Sequence, residues 1–156
     1  DVVELTVAGP DVILPHTPAS FTAQVRLRDG SLVDATACAV WSTNWPRIAH
    51  FDDQGRLVIT DWHGRARLTV TASVTGLNGS IEGSKPVTLA PLGDFDADLD
   101  VDLLDFVRFQ DCFTGPASGQ LASALPAHCL PADLDDDGDV DLADFALFVL
   151  NFTGPH

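Results

Sequence analysis

Apolar and polar residues alternate in short runs through the first part of the chain, and the period then changes. Val3, Leu5 and Val7 alternate with polar neighbours until Gly9-Pro10 stops the run. Phe21 to Arg28 alternates again and ends at the turn pair Asp29-Gly30. Shorter runs follow at 39–42, 57–60, 66–72 and 85–89, separated by turn signals at 44–46, 52–55, 62–64 and Asn78-Gly79. About seven short strands at this spacing predict an antiparallel sandwich. Beyond Gly93 the spacing becomes helical. Leu103, Phe106, Val107 and Gln110 fall at i, i+3, i+4 and i+7, and Leu142, Phe145, Ala146 and Val149 repeat the pattern. Each predicted helix stops at Thr-Gly-Pro, at 114–116 and at 153–155. A further helical turn is expected over Gln120–Leu125. The segment from Pro86 to Gly93 reads as a short joint.

The helical part repeats itself. Asp94, Asp96, Asp98, Asp100, Asp102 and Asp105 recur 39 residues later as Asp133, Asp135, Asp137, Asp139, Asp141 and Asp144. In each copy they occupy positions 1, 3, 5, 7, 9 and 12 of a twelve-residue loop, the spacing at which one loop wraps oxygen ligands around a hard divalent cation. Calcium is the expected ion, at two sites. The carboxylates at positions 1, 3 and 5 serve as side-chain ligands, position 7 binds through its carbonyl, position 9 directly or through water, and position 12 with both oxygens. Val101 and Val140, at position 8, are expected to pair by a small β-bridge in the core. Gly138 stands at position 6 of the second loop, where the chain must turn sharply, whereas the first loop has Leu99 there. A non-glycine residue in the left-handed region costs about 1 kcal/mol, so the second site is expected to be the stronger. Phe95, Phe106, Phe109, Phe113, Phe145, Phe148 and Phe152 argue against a merely solvated acidic tail. Asp111, Asp136 and His128 fall off the ligand positions and read as surface residues.

Charge sharpens the division. Residues 93–156 carry fourteen Asp against the single Arg108, while the preceding residues carry nine acids against seven Lys/Arg. So acidic a surface excludes nucleic acid and anionic membrane as partners, and no apolar stretch is long enough to insert in a membrane. Cys112 and Cys129 flank the linker between the repeats and are candidates for a disulfide, leaving Cys38 alone. A zinc site using His128 with these cysteines lacks a fourth ligand. Asn78 and Asn151 head glycosylation triplets. The start at Asp1, without Met or a signal-like apolar run, suggests a processed secreted product or an excised fragment.

Two resemblances follow from these motifs. Trp41-Ser-Thr-Asn-Trp-Pro-Arg-Ile48-Ala, Asp53-Gln-Gly55-Arg-Leu57 and Gly64-Arg-Ala66-Arg-Leu68-Thr-Val-Thr-Ala72 resemble the second group of bacterial immunoglobulin-like domains, the intimin/invasin-associated kind. In that setting Trp41 plugs the space between two sheets. The acidic repeats lack a helix before each loop, because Pro86–Gly93 and Pro126–Ala132 precede them, and position 12 is Asp. In this they resemble the type I dockerin family of secreted bacterial proteins. That resemblance implies two bound calcium ions and a helical face that docks on a cohesin domain. The family's Ser-Thr recognition pair at loop positions 10 and 11 is replaced by Leu103-Leu104 and Leu142-Ala143, which points to an apolar contact surface.

The expected fold is therefore two domains: an all-β immunoglobulin-like sandwich over 1–91, followed by a small all-α dockerin- or EF-hand-like domain over 92–156. No nucleophile–base pair, phosphate loop or metal-protease helix is present, and Asp61 and His63 read as turn chemistry, so no enzyme is expected. The expected function is an extracellular, secreted or cell-surface interaction module, its partner a cohesin-like protein or another copy of itself. The alternatives are a subunit of a self-assembling fibre, with Asp1–Val7 donated to a neighbour or head-to-tail contacts, and the C-terminal part of a larger secreted enzyme.

Overall fold

The structure, a computed structural model, describes residues 2–60, 62, 64–76, 79–116 and 125–154. Asp1, Asp61, His63, Asn78, Pro155 and most of the turn expected over Gln120–Leu125 lie outside the described residues. The chain divides into two compact units. One comprises residues 1–13, 18–60 and 67–88, the other 14–17, 61–66 and 89–156.

Ten strands are formed by the described residues: β1 Val2–Ala8, β2 Val12–Ile13, β3 Ala19–Ser20, β4 Thr22–Leu27, β5 Leu32–Asp34, β6 Val40–Thr43, β7 Ala49–Phe51, β8 Arg56–Ile59, β9 Ala66–Gly76 and β10 Gly79–Leu89. They make three sheets, ordered β1-β4-β5, β2-β10-β9-β6 and β3-β8-β7. Alternation places one face of each strand inward. Leu5 and Val7 of β1 pair with Val25 and Ala23 of β4, and all four are buried. Leu57 and Ile59 of β8 and Leu68, Val70 and Ala72 of β9 are likewise buried. The buried ring of Phe21 meets the half-buried rings of Trp41 and Phe51, which stack at 5.4 Å between centroids. A Cβ on Gly83 would lie 2.3 Å from the carbonyl oxygen of Leu5, so β10 approaches β1 only because residue 83 has no side chain. β1 pairs with β4 of its own chain, which is where the strand expected for donation to a neighbour lies.

The second unit departs from the expected all-α domain. Its helices among the described residues are two of ten residues each, α1 Leu103–Cys112 and α2 Leu142–Asn151, with a single 3-10 turn at Leu130–Ala132. The described residues are mostly β, and no second all-α domain is seen among them. The physical reason is that each acidic repeat gives more residues to its loop than to its helix, and the loops are shaped by side chain–backbone bonds instead of helical ones. The residues at helical spacing divide between surface and core. Leu103 and Leu142 are 67% and 70% exposed, and Val107, Gln110 and Val149 point outward too. The buried face runs instead through Asp105, Phe109 and Cys112 on α1 and through Asp144 and Phe148 on α2. These join Leu92, Val101, Cys129, Ala132, Leu134 and Val140 in one core. Phe109 and Phe148 stack at its centre, 5.6 Å apart. Cys112 and Cys129 are joined by a disulfide, with their Cα atoms 5.3 Å apart.

Candidate metal centres

Each acidic loop is wound around its own carboxylates. In the first, Asp94 accepts from the backbone N–H groups of Ala97 (2.7 Å) and Leu99 (2.9 Å). In the second, Asp133 accepts from Asp137 (3.1 Å) and Gly138 (3.0 Å). Position 12 closes each loop. Asp105 Oδ1 accepts from Phe95 (2.7 Å) and Asp96 (3.3 Å), and its Oδ2 from Asp102 (2.9 Å). Asp144 does the same with Leu134 (2.6 Å), Asp135 (3.2 Å) and Asp141 (2.8 Å). Both residues are fully buried.

The same aspartates start the helices. Asp102 and Asp141 are N-caps that accept from the N–H groups of Leu104 and Ala143, each at 2.7 Å, and with Asp105 and Asp144 they form complete capping boxes. Loop closure and helix initiation are thus one network, in duplicate.

The backbone conformations match as well. Position 4 has positive φ in both loops, at Ala97 (66°) and Asp136 (60°), and so does position 6, at Leu99 (75°) and Gly138 (94°). Leu99 therefore takes the left-handed conformation that its glycine counterpart takes without strain.

This winding gathers oxygen donors. Carboxylate oxygens of Asp94, Asp96 and Asp105 lie within 4.8 Å of one another, as do those of Asp100, Asp102 and Asp105. The second loop repeats both groups with Asp133, Asp135 and Asp144 and with Asp139, Asp141 and Asp144. Asp98 and Asp137, expected as position-5 ligands, fall outside these groups. They are exposed and accept from the N–H groups of Asp100 (3.0 Å) and Asp139 (3.2 Å).

Electrostatics shows what the loops lack. Burial pushes Asp94 up to about 6, against the opposing pull of its two amide bonds. Burial also raises Asp105 and Asp133, and it raises Asp135 with help from the nearby Asp144 charge. Arg108, the only Lys or Arg in residues 93–156, donates to the carbonyl oxygen of Phe95 at 2.6 Å. Clustered, partly desolvated carboxylates held in fixed loops suit a hard divalent cation, which takes oxygen donors in flexible geometry. The donor set fits such an ion.

Other candidates resolve differently. Cys112, His128 and Cys129 lie together, but the disulfide occupies both sulfurs, which removes them as zinc ligands. Asn151 donates its side-chain nitrogen to the carbonyl oxygen of Leu147 at 2.8 Å, the same nitrogen a glycan would occupy. Asp111 and His128 are exposed, whereas exposed Asp136 meets His16 Nδ1 at 2.9 Å.

The expected bridge between Val101 and Val140 is replaced by another arrangement. Both residues are fully buried, but neither belongs to a strand or bridge. The carbonyl oxygen of Val101 accepts from the N–H groups of Thr153 (2.9 Å) and Gly154 (3.1 Å), and its N–H donates to Thr153 Oγ1 (2.9 Å). Val140 makes the same three bonds with Thr114 and Gly115, at 2.9, 3.0 and 3.0 Å. The signal was present in the sequence, since Phe-Thr-Gly-Pro recurs in register, but only its glycine and proline have an obvious role as a helix stop. Arg65 is a further contributor that spacing does not reveal; its guanidinium donates to the carbonyl oxygen of Leu99.

Compared with known proteins, the chain matches no protein-family model and no curated sequence, which leaves the chemistry of the two loops to carry the functional reading.

Proposed function

We propose that this chain is a non-catalytic, extracellular interaction module, in which the duplicated acidic loops bind two calcium ions and thereby set a helical surface for docking to a protein partner. The observation that carries this reading is the duplication itself. Two loops of equal length, with equal positive-φ positions and equal carboxylate groups, each run directly into the N-terminus of a helix. Asp94, Asp96, Asp100, Asp102 and Asp105 would hold the first ion, and Asp133, Asp135, Asp139, Asp141 and Asp144 the second. When bound, each ion supplies the positive charge that the buried carboxylates need, and so favours the loop conformation that starts its helix.

The docking surface is proposed on the outer faces of the helices. Leu103, Leu104 and Val107 on α1 and Leu142, Val149 and Leu150 on α2 are all exposed, Leu150 at 80%. Exposed apolar side chains on helices that cation loops hold in place are what a calcium-dependent contact requires. The repeats' resemblance to dockerins supports a cohesin-like partner, with Leu103-Leu104 and Leu142-Ala143 in the place of the polar recognition pair. The Cys112–Cys129 disulfide supports a secreted or cell-surface setting. Among the described residues no helix is long and apolar enough to cross a membrane.

Calcium titration calorimetry on the purified chain tests this reading. Two binding events are expected, with Asp105→Ala and Asp144→Ala each removing one. No heat at millimolar calcium would sink it. Light scattering of the loaded protein then separates a docking head from self-assembly, since monomers fit docking and long particles a fibre.

A further inference from the structure

Position 8 of each loop lies between two members of its carboxylate cluster: Val101 between Asp100 and Asp102, Val140 between Asp139 and Asp141. The direction in which those neighbours project is set by the backbone at the valine. That backbone is held from outside the loop, by the threonine and glycine that follow the helix of the other repeat. Thr153 follows α2 and grips the first loop, and Thr114 follows α1 and grips the second. Each grip satisfies both backbone groups of a residue that water does not reach, where an unmade bond is costly.

Resting on the calcium reading above, we propose that Thr114 and Thr153 are positioning residues that act in trans, each setting the affinity of the cation site in the other repeat. The route is continuous. The first loop starts α1 through the Asp102–Asp105 capping box, α1 delivers Thr114, and Thr114 holds Val140 in the second loop. The second loop starts α2 through Asp141–Asp144, α2 delivers Thr153, and Thr153 holds Val101 in the first. Ordering either loop therefore favours the other, and the two sites fill with positive cooperativity.

The test measures one site at a time in the full chain. Asp135→Ala silences the second loop and leaves the first to be titrated with calcium; Asp96→Ala does the converse. In the Asp135→Ala background, Thr153→Ala is expected to weaken calcium binding roughly fivefold to tenfold, the equivalent of one lost buried hydrogen bond, while Thr114→Ala has a much smaller effect. In the Asp96→Ala background the two threonines exchange roles. Thr→Ser, which keeps the hydroxyl, restores affinity in each case. Should an alanine variant lose its helical circular dichroism at saturating calcium, Thr→Val replaces it, since it removes the hydroxyl and keeps the shape. If the wild-type chain binds two ions but each threonine weakens its own repeat, or both sites equally, or neither, the trans assignment is overturned. If the wild-type chain binds no calcium, the reading of the loops fails instead.

Discussion

The two units solve the same problem with different interiors. In the first, the buried residues are aliphatic or aromatic, among them Leu5, Val25, Leu57, Leu68 and Val70. In the second, an aromatic core shares its interior with Asp94, Asp100, Asp105, Asp133, Asp139 and Asp144, which are all the buried charged residues among those described. The first unit needs only water to drive its burial. The second folds against a standing electrostatic cost that amide donors offset in part. On the proposed calcium reading, stability of the first is a property of the chain alone, and stability of the second depends on the cations in solution.

The sharpest way to break that contrast is chelation. Removing divalent cations is expected to abolish the helical circular dichroism of residues 92–156 and leave the β signal intact. At a hundredfold excess over its dissociation constant, each bound ion would contribute about 2.7 kcal/mol, a large share of what so small a unit holds. Equal helical signal with and without chelator would erase the distinction. Leu57→Ala is the converse perturbation. It empties a fully buried site in the β unit and is expected to cost about 2–5 kcal/mol there, with calcium affinity unchanged by calorimetry. Replacing both Cys112 and Cys129 by Ser opens a link across 17 residues and should lower the stability of the second unit by about 3 kcal/mol, read from its denaturant midpoint.

Proton titration sharpens the comparison further. Asp94 sits at about 6 in the folded, cation-free unit, against an ordinary carboxylate value near ~3.9 when unfolded. Between those values the folded state holds a proton that the unfolded state does not. Stability of the cation-free unit therefore falls as pH rises through this window, and the helical signal lost in chelator at pH 7 should be partly recovered at pH 5. Calcium affinity should move the opposite way, declining as pH drops below about 6. A helical signal in chelator that does not change between pH 7 and pH 5 would show that Asp94 is not held from water. The smallest effect concerns Leu99. Leu99→Gly removes a left-handed leucine and is expected to tighten the first site by about 1 kcal/mol, roughly fivefold, while Gly138→Ala loosens the second.

The clustering of carboxylates was legible in part, without Asp98 and Asp137, because a repeat of acidic residues at alternate positions is hard to produce by chance. The longer strands were legible from Leu5 and Val7, from Phe21 to Leu27 and from Leu68 to Ala72. The two-residue strands at Val12–Ile13 and Ala19–Ser20 were not, since two residues carry no period. Which helix face turns inward was not legible, for a specific reason. Hydrophobic spacing favoured Leu103 and Val107, but Asp105 and Asp144 face inward to close their loops and rotate each helix about its axis. An inward aspartate is invisible to a rule that equates polar with exposed. The all-α expectation failed because each repeat gives more residues to its twelve-residue loop than to its ten-residue helix.

The exchange of threonines also bears on how such a chain arises. Residue for residue, repeat one does to repeat two what repeat two does to repeat one, and a relation of that kind is isologous: a surface that complements its own copy. A single loop–helix segment already carries both halves of the grip, the valine that is held and the threonine-glycine that holds it. Two free copies have what they need to pair, and joining them end to end adds only a linker. Duplication of one short segment would thus have supplied the exchanged grip in a single step, leaving the Cys112–Cys129 link as a contact that the repeat does not share.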